Sequence, residues 1–306
     1  MKVVVLMSTW HGEQFVIEQL HSILSQLAPS ARVLIRDDGS TDGTVERIQS
    51  LSDKRISIIK GAHCGFARSF LALLDAAPDD ADVIMLSDQD DVWLPGKVAR
   101  ACSHLALFAD QPALYCSRLQ LADINLNPIG LSPTWPRPPS FQNALTENIV
   151  TGCTCAMNQP ALRLARNCGD RGLIYFHDWW LYLVISAFGT VVVDSMATIL
   201  YRQHGGNVIG MGAGWRRYLS ILQFIGKKSW IHIMFDQIEN FRSVFGDQLD
   251  DGKQMLLEQY FIPQQPRSII RLLFSTKRFR QTMLYDILLR ALLLGTWLAG
   301  RGLSSK

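Results

Sequence analysis

The chain has 306 residues, 48% of them apolar and 19% charged, with a formal net charge of +3. That length suggests one large α/β domain with an appendage, or two domains. The composition excludes a disordered, collagen-like or coiled-coil protein. Charge is uneven: from Pro263 to Lys306 eight Lys/Arg stand against one acid, Asp286, which leaves about −4 for residues 1–262, so the two parts face different partners.

Met1-Lys2 followed by Val3–Met7 is too short for a signal-peptide core and reads as a first buried strand. Val16, Leu20, Ile23, Leu24 and Leu27 share one helical face. Arg32–Arg36 is strand-like, and Val45, Ile48 and Leu51 continue as a helix. Ile56–Ile59 is a third strand, followed by helical spacing at Phe66, Phe70, Leu73 and Leu74. Val83–Leu86 is a fourth strand, and Pro95 is placed as the first residue of the helix carrying Val98, Cys102 and Leu105. Four such alternations predict a parallel sheet wrapped by helices. Leu126–Ser140 holds five prolines and is expected as a loop over a cleft. Thr190–Asp194 reads as another strand. Beyond Gly214 the pattern turns helical, with Trp215, Leu219, Leu222 and Ile225 on one face. The six cysteines show no C-x-x-C pair and are expected as buried, reduced thiols, Cys153 and Cys155 packing near the acceptor side.

Two acidic clusters follow apolar strands: Asp37-Asp38-Gly39-Ser40 and Asp88-Gln89-Asp90-Asp91. In open parallel sheets ligands bind at the carboxyl ends of strands, where both clusters fall. Such carboxylates can hold Mg²⁺ or Mn²⁺ on a diphosphate; the plainer reading is that they cap helices and turns. A calcium loop is excluded because Val92 and Trp93 occupy ligand positions and Ala99 replaces the closing Glu. The string Asp88-Gln-Asp90-Asp-Val92 also fits an aspartyl-phosphate phosphatase, with Asp88 as nucleophile and Asp90 as acid/base. That motif usually opens its domain, however, and here three strand–helix units precede it. A P-loop is absent, and Gly210-x-Gly212-x-Gly214 follows no strand.

Thr9-Trp-His-Gly-Glu13, Asp37-Asp-Gly-Ser-Thr-Asp-Gly-Thr44 and Ser87-Asp-Gln-Asp-Asp-Val-Trp93 together resemble family 2 glycosyltransferases, most closely the bacterial rhamnosyltransferase-type members. Gly152-Cys-Thr-Cys, His177-Asp-Trp-Trp180 and Tyr201-Arg-Gln-His-Gly-Gly-Asn207 match in order and approximate spacing, and the likeness covers residues 1–210. It implies a GT-A, Rossmann-like fold: a mostly parallel central sheet flanked by helices, with a C-terminal helical extension. The nucleotide-sugar half would be residues 1–120, the acceptor half 121–210, and a basic, amphipathic helical region 211–306.

The resemblance implies an inverting, metal-dependent sugar transfer from a nucleotide diphosphate sugar to a hydroxyl of a bacterial cell-surface glycan, with Mg²⁺ or Mn²⁺ as cofactor. It favours dTDP-rhamnose as donor, with UDP- and GDP-sugars as alternatives, and a lipid-linked or lipopolysaccharide acceptor. By the same likeness Asp38 would accept from the pyrimidine, beside Thr9, His11 and Glu13, and Asp88 would lie near the ribose. Asp90, Asp91 and His204 would hold the metal, and Arg202 with His204 would steady the leaving diphosphate. Asp178 would be the base, and Trp179 and Trp180 would stack on acceptor sugars. His11 departs from the Asn common in the family. A non-catalytic, membrane-peripheral sugar-nucleotide binder is the competing class, and loss of Asp90 or Asp178 would have favoured it.

Met283–Ala299 is 17 residues long, too short for a comfortable crossing, and carries Asp286 and Arg290. It is expected to lie with Arg267–Phe274 on an anionic membrane surface, which makes the protein cytoplasmic and peripheral to the inner face of the membrane. Packing on the catalytic domain or a homodimer are the other uses of this tail; no nucleic-acid partner is expected.

Overall fold

The computed structural model describes residues 1–204, 230–262 and 265–298. The first four strands, β1 (Val3–Thr9), β2 (Arg32–Asp37), β3 (Ile56–Lys60) and β4 (Val83–Ser87), are parallel in the order β3-β2-β1-β4. They alternate with α1 (Val16–Leu24), α2 (Thr44–Ser50) and α3 (Phe66–Ala76). β1 and β4 are almost wholly buried, as strands covered on both faces must be. Past β4 the sheet turns mixed. β8 (Ala156–Asn158) runs antiparallel to β4 and to β6 (Ala113–Ala122), and β9 (Thr190–Arg202) lies parallel to β6. The two-residue β5 (Val92–Trp93) closes the far edge against β9, while β7 (Pro128–Leu131) pairs with β6.

Two details differ from the sequence expectations. The Pro-rich segment contributes β7 before it becomes a loop. Pro95 is not the first residue of its helix: α4 is Lys97–Leu105, and Gly96 takes a left-handed φ of 86° that turns the chain before the helix begins. The periodic residues Trp215–Ile225 and the triple-glycine segment lie outside the described residues.

The remaining α-helices among the described residues are α5 (Phe141–Ala144), α6 (Gln159–Ala165), α7 (His177–Phe188), α8 (Trp230–Phe245), α9 (Asp251–Tyr260), α10 (Pro266–Phe274) and α11 (Met283–Leu298). One core joins α3 and β4 to α7 and to the C-terminal helices through Phe70, Trp180, Phe241, Ile269 and Leu293. The helical region therefore packs on the sheet-bearing part of the molecule. All six cysteines are free.

Candidate active site

The carboxyl end of β4 opens into Asp88-Gln89-Asp90-Asp91. Asp91 is fully buried; one oxygen accepts the Arg202 N–H at 3.2 Å, while Oδ2 has no partner. Asp88 is partly exposed. The short 3₁₀ turn Gly152–Thr154 brings the buried Cys153 thiol beneath them, so that ligand atoms of Asp88, Asp91 and Cys153 lie within 4.8 Å of one another. Burial, reinforced by Asp90 and Asp178, pushes Asp88 up to about 7. Burial and then Asp90 push Asp91 upward too. Asp90 Oδ2 accepts from His204 Nε2 at 2.8 Å. Crowded carboxylates with an orphaned buried oxygen form a donor set that fits a divalent cation.

Behind the cluster lies Lys97, fully buried, whose Nζ donates to the Thr154 carbonyl at 3.4 Å and sits 4.9 Å from the centre of the Trp93 ring. Burial lowers its ammonium to about 8, with Cys153 and Asp91 acting in the opposite direction.

Asp178 stands in the first turn of α7. Its Oδ1 accepts the Trp179 N–H at 2.7 Å and its Oδ2 the Gly152 N–H at 3.2 Å. Burial raises it to about 6 against these bonds. A Cβ on Gly152 would lie 2.6 Å from His177 Nε2, so any other residue in this turn would push the His177 ring aside. His177 stacks on Phe70 at 4.1 Å, neither ring nitrogen has a partner, and burial lowers it to about 3. Beside this turn, a cavity of about 300 Å³ is walled by Thr151, Ile149, Arg118 and the loop Pro133–Pro139, the cleft cover expected from the prolines.

The cluster after β2 is built differently. Asp38, 2% exposed, accepts from the Cys64 and Gly65 N–H groups at 3.0 and 2.9 Å and from the Arg36 guanidinium, and His63 Nδ1 lies 2.9 Å from it. Burial acts upward on its carboxyl, but Arg36 and Cys64 hold it below the usual range. Asp37 accepts the Thr9 hydroxyl at 3.1 Å and the Ser40 N–H at 2.9 Å.

Residues 4–165 match the sequence profile described as Glycosyl transferase family 2. The chain belongs to this family. It is 27% identical over 248 residues to the dTDP-rhamnosyl transferase RfbG of Shigella flexneri, covering 76% of this chain and 83% of that protein. It is 24% identical over 218 residues to an uncharacterized glycosyltransferase of Haemophilus influenzae, covering 66% and 65%. The crystal structure of S. aureus TarS 1–349 in complex with UDP-GlcNAc superposes with a TM-score of 0.55, covering 98% of this chain and 93% of that one at 14% identity. That likeness shows the GT-A fold. The protein is a family 2 glycosyltransferase, which leaves the phosphatase reading of Asp88 and Asp90 without support.

Set against the expectations for this glycosyltransferase, the structure brings Asp88, Asp90, Asp91, Asp178 and His204 into one region. Arg202, 4% exposed, donates to the Asp90 carbonyl at 2.9 Å and pairs with Glu18, so the guanidinium braces the cluster. Thr9 is 1% exposed and its hydroxyl is spent on Asp37. Glu13 accepts from Gly43 N–H at 3.1 Å and Arg47, which ties the β2–α2 loop. His11 is exposed at a left-handed φ of 50°, its ring bonded to Thr41 at 3.1 Å. Trp179 and Trp180, expected to stack on an acceptor, are at 1% and 0% exposure part of the core, and Trp179 stacks on Trp230 at 4.7 Å. Cys153 is buried in the core as expected, and its thiol also lies against Asp88 and Asp91. No motif marks Lys97, although its position four before Ala101 puts it on the buried stripe of α4 with Val98 and Leu105.

Proposed function

We propose that this glycosyltransferase moves rhamnose from dTDP-rhamnose, with inversion, to a hydroxyl of a lipid-linked or lipopolysaccharide cell-surface glycan. The observation that carries the mechanism is the pairing in one cleft of a crowded acidic cluster, with one buried oxygen of Asp91 left unsatisfied, and Asp178, a carboxylate fixed by two backbone N–H groups and poised near neutrality. The likeness to RfbG supports the donor. Asp178 takes the acceptor proton; its two N–H partners aim it, and its raised pKa makes it a stronger base than a solvated aspartate. Asp88, Asp90 and Asp91, with His204 oriented on Asp90, would hold Mg²⁺ or Mn²⁺, which when bound supplies charge neutralisation to the departing diphosphate. Asp38 pins the Cys64–Gly65 turn and so fixes the floor of the nucleotide pocket. The cavity beneath the Pro133–Pro139 loop is the acceptor side.

In this reading residues 1–210 are the catalytic unit and residues 211–306 add a membrane-docking surface. α11 leaves Leu284, Ile287, Leu288, Leu292 and Leu298 exposed, α10 leaves Ile270 and Phe274, and Arg267, Arg271 and Lys277 are exposed beside them. At 16 residues α11 is about 24 Å long, short of a ~30 Å hydrocarbon core, and no described helix is long and apolar enough to cross a membrane. Asp286 and Arg290 pair within the helix at 2.8 Å. An apolar face ringed by basic residues suits the interface of an anionic leaflet. Because Ile269, Leu272 and Leu293 belong to the core, surface variants test this better than truncation. Leu284→Ser with Ile287→Ser and Arg271→Glu should release the protein from anionic vesicles while transfer to a soluble acceptor persists; full-length protein that never sediments with the vesicles overturns the docking claim. For the activity, dTDP, UDP and GDP are compared by thermal shift with Mn²⁺, dTDP stabilising most, and transfer is assayed from dTDP-rhamnose. Failure of every diphosphate to stabilise with either metal overturns the reading.

A further inference from the structure

The cavity beneath the Pro133–Pro139 loop is walled by two guanidiniums and by no acidic residue: Arg118 and Arg137 line it with Trp135, Thr134 and Thr151. Among the described residues neither arginine forms an ion pair, and their bonds go to backbone carbonyls. Arg118 Nε donates to the Ser132 carbonyl at 3.0 Å, and Arg137 Nη1 donates to the Arg278 and Arg280 carbonyls at 2.7 and 3.0 Å. Those bonds fix where the two forks stand and leave their charge without an anion. Asp194, between the lining residues Val193 and Ser195, is committed elsewhere, to Arg100 at 2.8 Å and to the Tyr115 hydroxyl at 2.8 Å. A planar guanidinium held in place suits a phosphate or a carboxylate. Half-buried Trp135 adds an aromatic face for a sugar ring. Thr151 joins this cavity to the base, because the next residue, Gly152, donates its N–H to Asp178.

We propose that the cavity takes an acceptor glycan bearing an oxyanion, a phosphate or a carboxylate, with Arg118 and Arg137 holding the charged group and Trp135 lying against the sugar ring. Binding is non-covalent, and the two arginines select the acceptor without touching the reacting atoms. The inference rests on the reading that this cavity is the acceptor side, and it adds the chemical class of what enters.

Calorimetric titration of the full-length protein, in EDTA so that no metal bridges the ligand, compares glucose 6-phosphate, glucuronate and glucose. At least one charged sugar should bind about tenfold or more tightly than glucose, the size of one charge-assisted hydrogen bond. Preference for glucose 6-phosphate identifies the group as a phosphate, and preference for glucuronate as a carboxylate. Arg118→Gln and Arg137→Gln should each abolish the preference. Because both side chains also hold backbone carbonyls, Thr134→Asp supplies a second route: Thr134 is exposed on the cavity wall, and an acid there should repel the same ligands in a protein that still folds. Equal affinity for all three sugars, or a preference that survives these substitutions, overturns the proposal. A wild-type protein without the preference that dTDP and Mn²⁺ still stabilise overturns only this inference. A preference that depends on these residues, in a protein that no nucleoside diphosphate stabilises, keeps the anion site and removes the transferase reading.

Discussion

The carboxylates after β2 and those after β4 close the same end of one sheet with only β1 between them, and the fold treats them oppositely. Asp38 is saturated: two backbone N–H groups, an imidazole and a buried guanidinium meet its two oxygens, and its carboxyl is held below the ordinary range. Asp91 keeps one buried oxygen without a donor, and Asp88 and Asp91, crowded by Asp90, are pushed upward. In an apolar setting an unpaired carboxylate is expensive. Retaining two side by side makes sense where something else supplies the positive charge. The chemical type of the two clusters is alike, and the number of donors around each separates a brace from a ligand site.

The sharpest way to break this comparison is to remove the unsatisfied side. Asp90→Ala, with its His204 partner left behind, should lower kcat/KM by about 10³-fold or more, because several kcal/mol of charge stabilisation are lost. Steady-state rates across a Mn²⁺ titration would show it. Activity that survives both EDTA and Asp90→Ala would end the metal role.

Next in size is Asp178→Asn. It should lower kcat by about 10²–10⁴-fold while dTDP affinity stays near the wild-type value. Asp178 must be ionised to accept a proton, so the wild-type rate should fall as pH drops through about 6. A variant with ordinary turnover would remove Asp178 from the mechanism.

Asp38→Asn tests the saturated side. It leaves Arg36, whose side chain is 10% exposed, without its anion, and a buried pair broken in this way costs about 3–5 kcal/mol. Denaturant unfolding should show that loss with little change in kcat of the folded fraction at saturating donor. A variant of normal stability but abolished nucleotide binding would make Asp38 a direct ligand to the base.

The contrast between the clusters also marks what was legible in the sequence. Apolar runs of strand length followed by 3.6-period faces predict β1 to β4 and α1 to α3, because local periodicity is dictated by which face each element buries. Both acidic clusters are visible as strand-end motifs. The donors that tell them apart are not, since Asp38 is satisfied by Cys64 and Gly65 and Asp90 meets His204 from 114 residues away. The Gly152–Thr154 turn lies under β4 only because β8, which follows it, pairs antiparallel with that strand. Cys153 therefore carries no local signal of its place among carboxylates. The tryptophans after Asp178 mislead for a similar reason: α7 is buried nearly all round by α8 and the sheet, so residues beside the base face the core.

His177 offers the smallest effect and a third treatment of a buried ionisable group: neither saturated nor waiting for a cation, but held neutral. Its ring is stacked on Phe70, lacks a partner at either nitrogen and is lowered to about 3 by burial. The unfolded chain, with a histidine near 6.5, binds the proton more readily across that interval, so this residue's contribution is present above about pH 6.5 and is lost as pH falls toward 3. Asp88 and Asp178, raised to about 7 and about 6, act in the other direction: their protonated forms favour the fold at low pH, and that contribution fades as pH rises through those values. A pH curve of the wild type alone therefore mixes opposing slopes, and the difference from a variant isolates one. His177→Leu removes two unsatisfied nitrogens, worth about 1–3 kcal/mol, and loses a ring stack worth about 0.5–1.5 kcal/mol, so at pH 8 the two proteins should differ little. Between pH 8 and pH 5 the wild type should lose about 2 kcal/mol relative to the variant, the linkage expected from titration at 6.5 in the unfolded chain alone. Denaturant unfolding at the two pH values measures it, and parallel curves would mean that His177 finds a partner for its proton inside the fold.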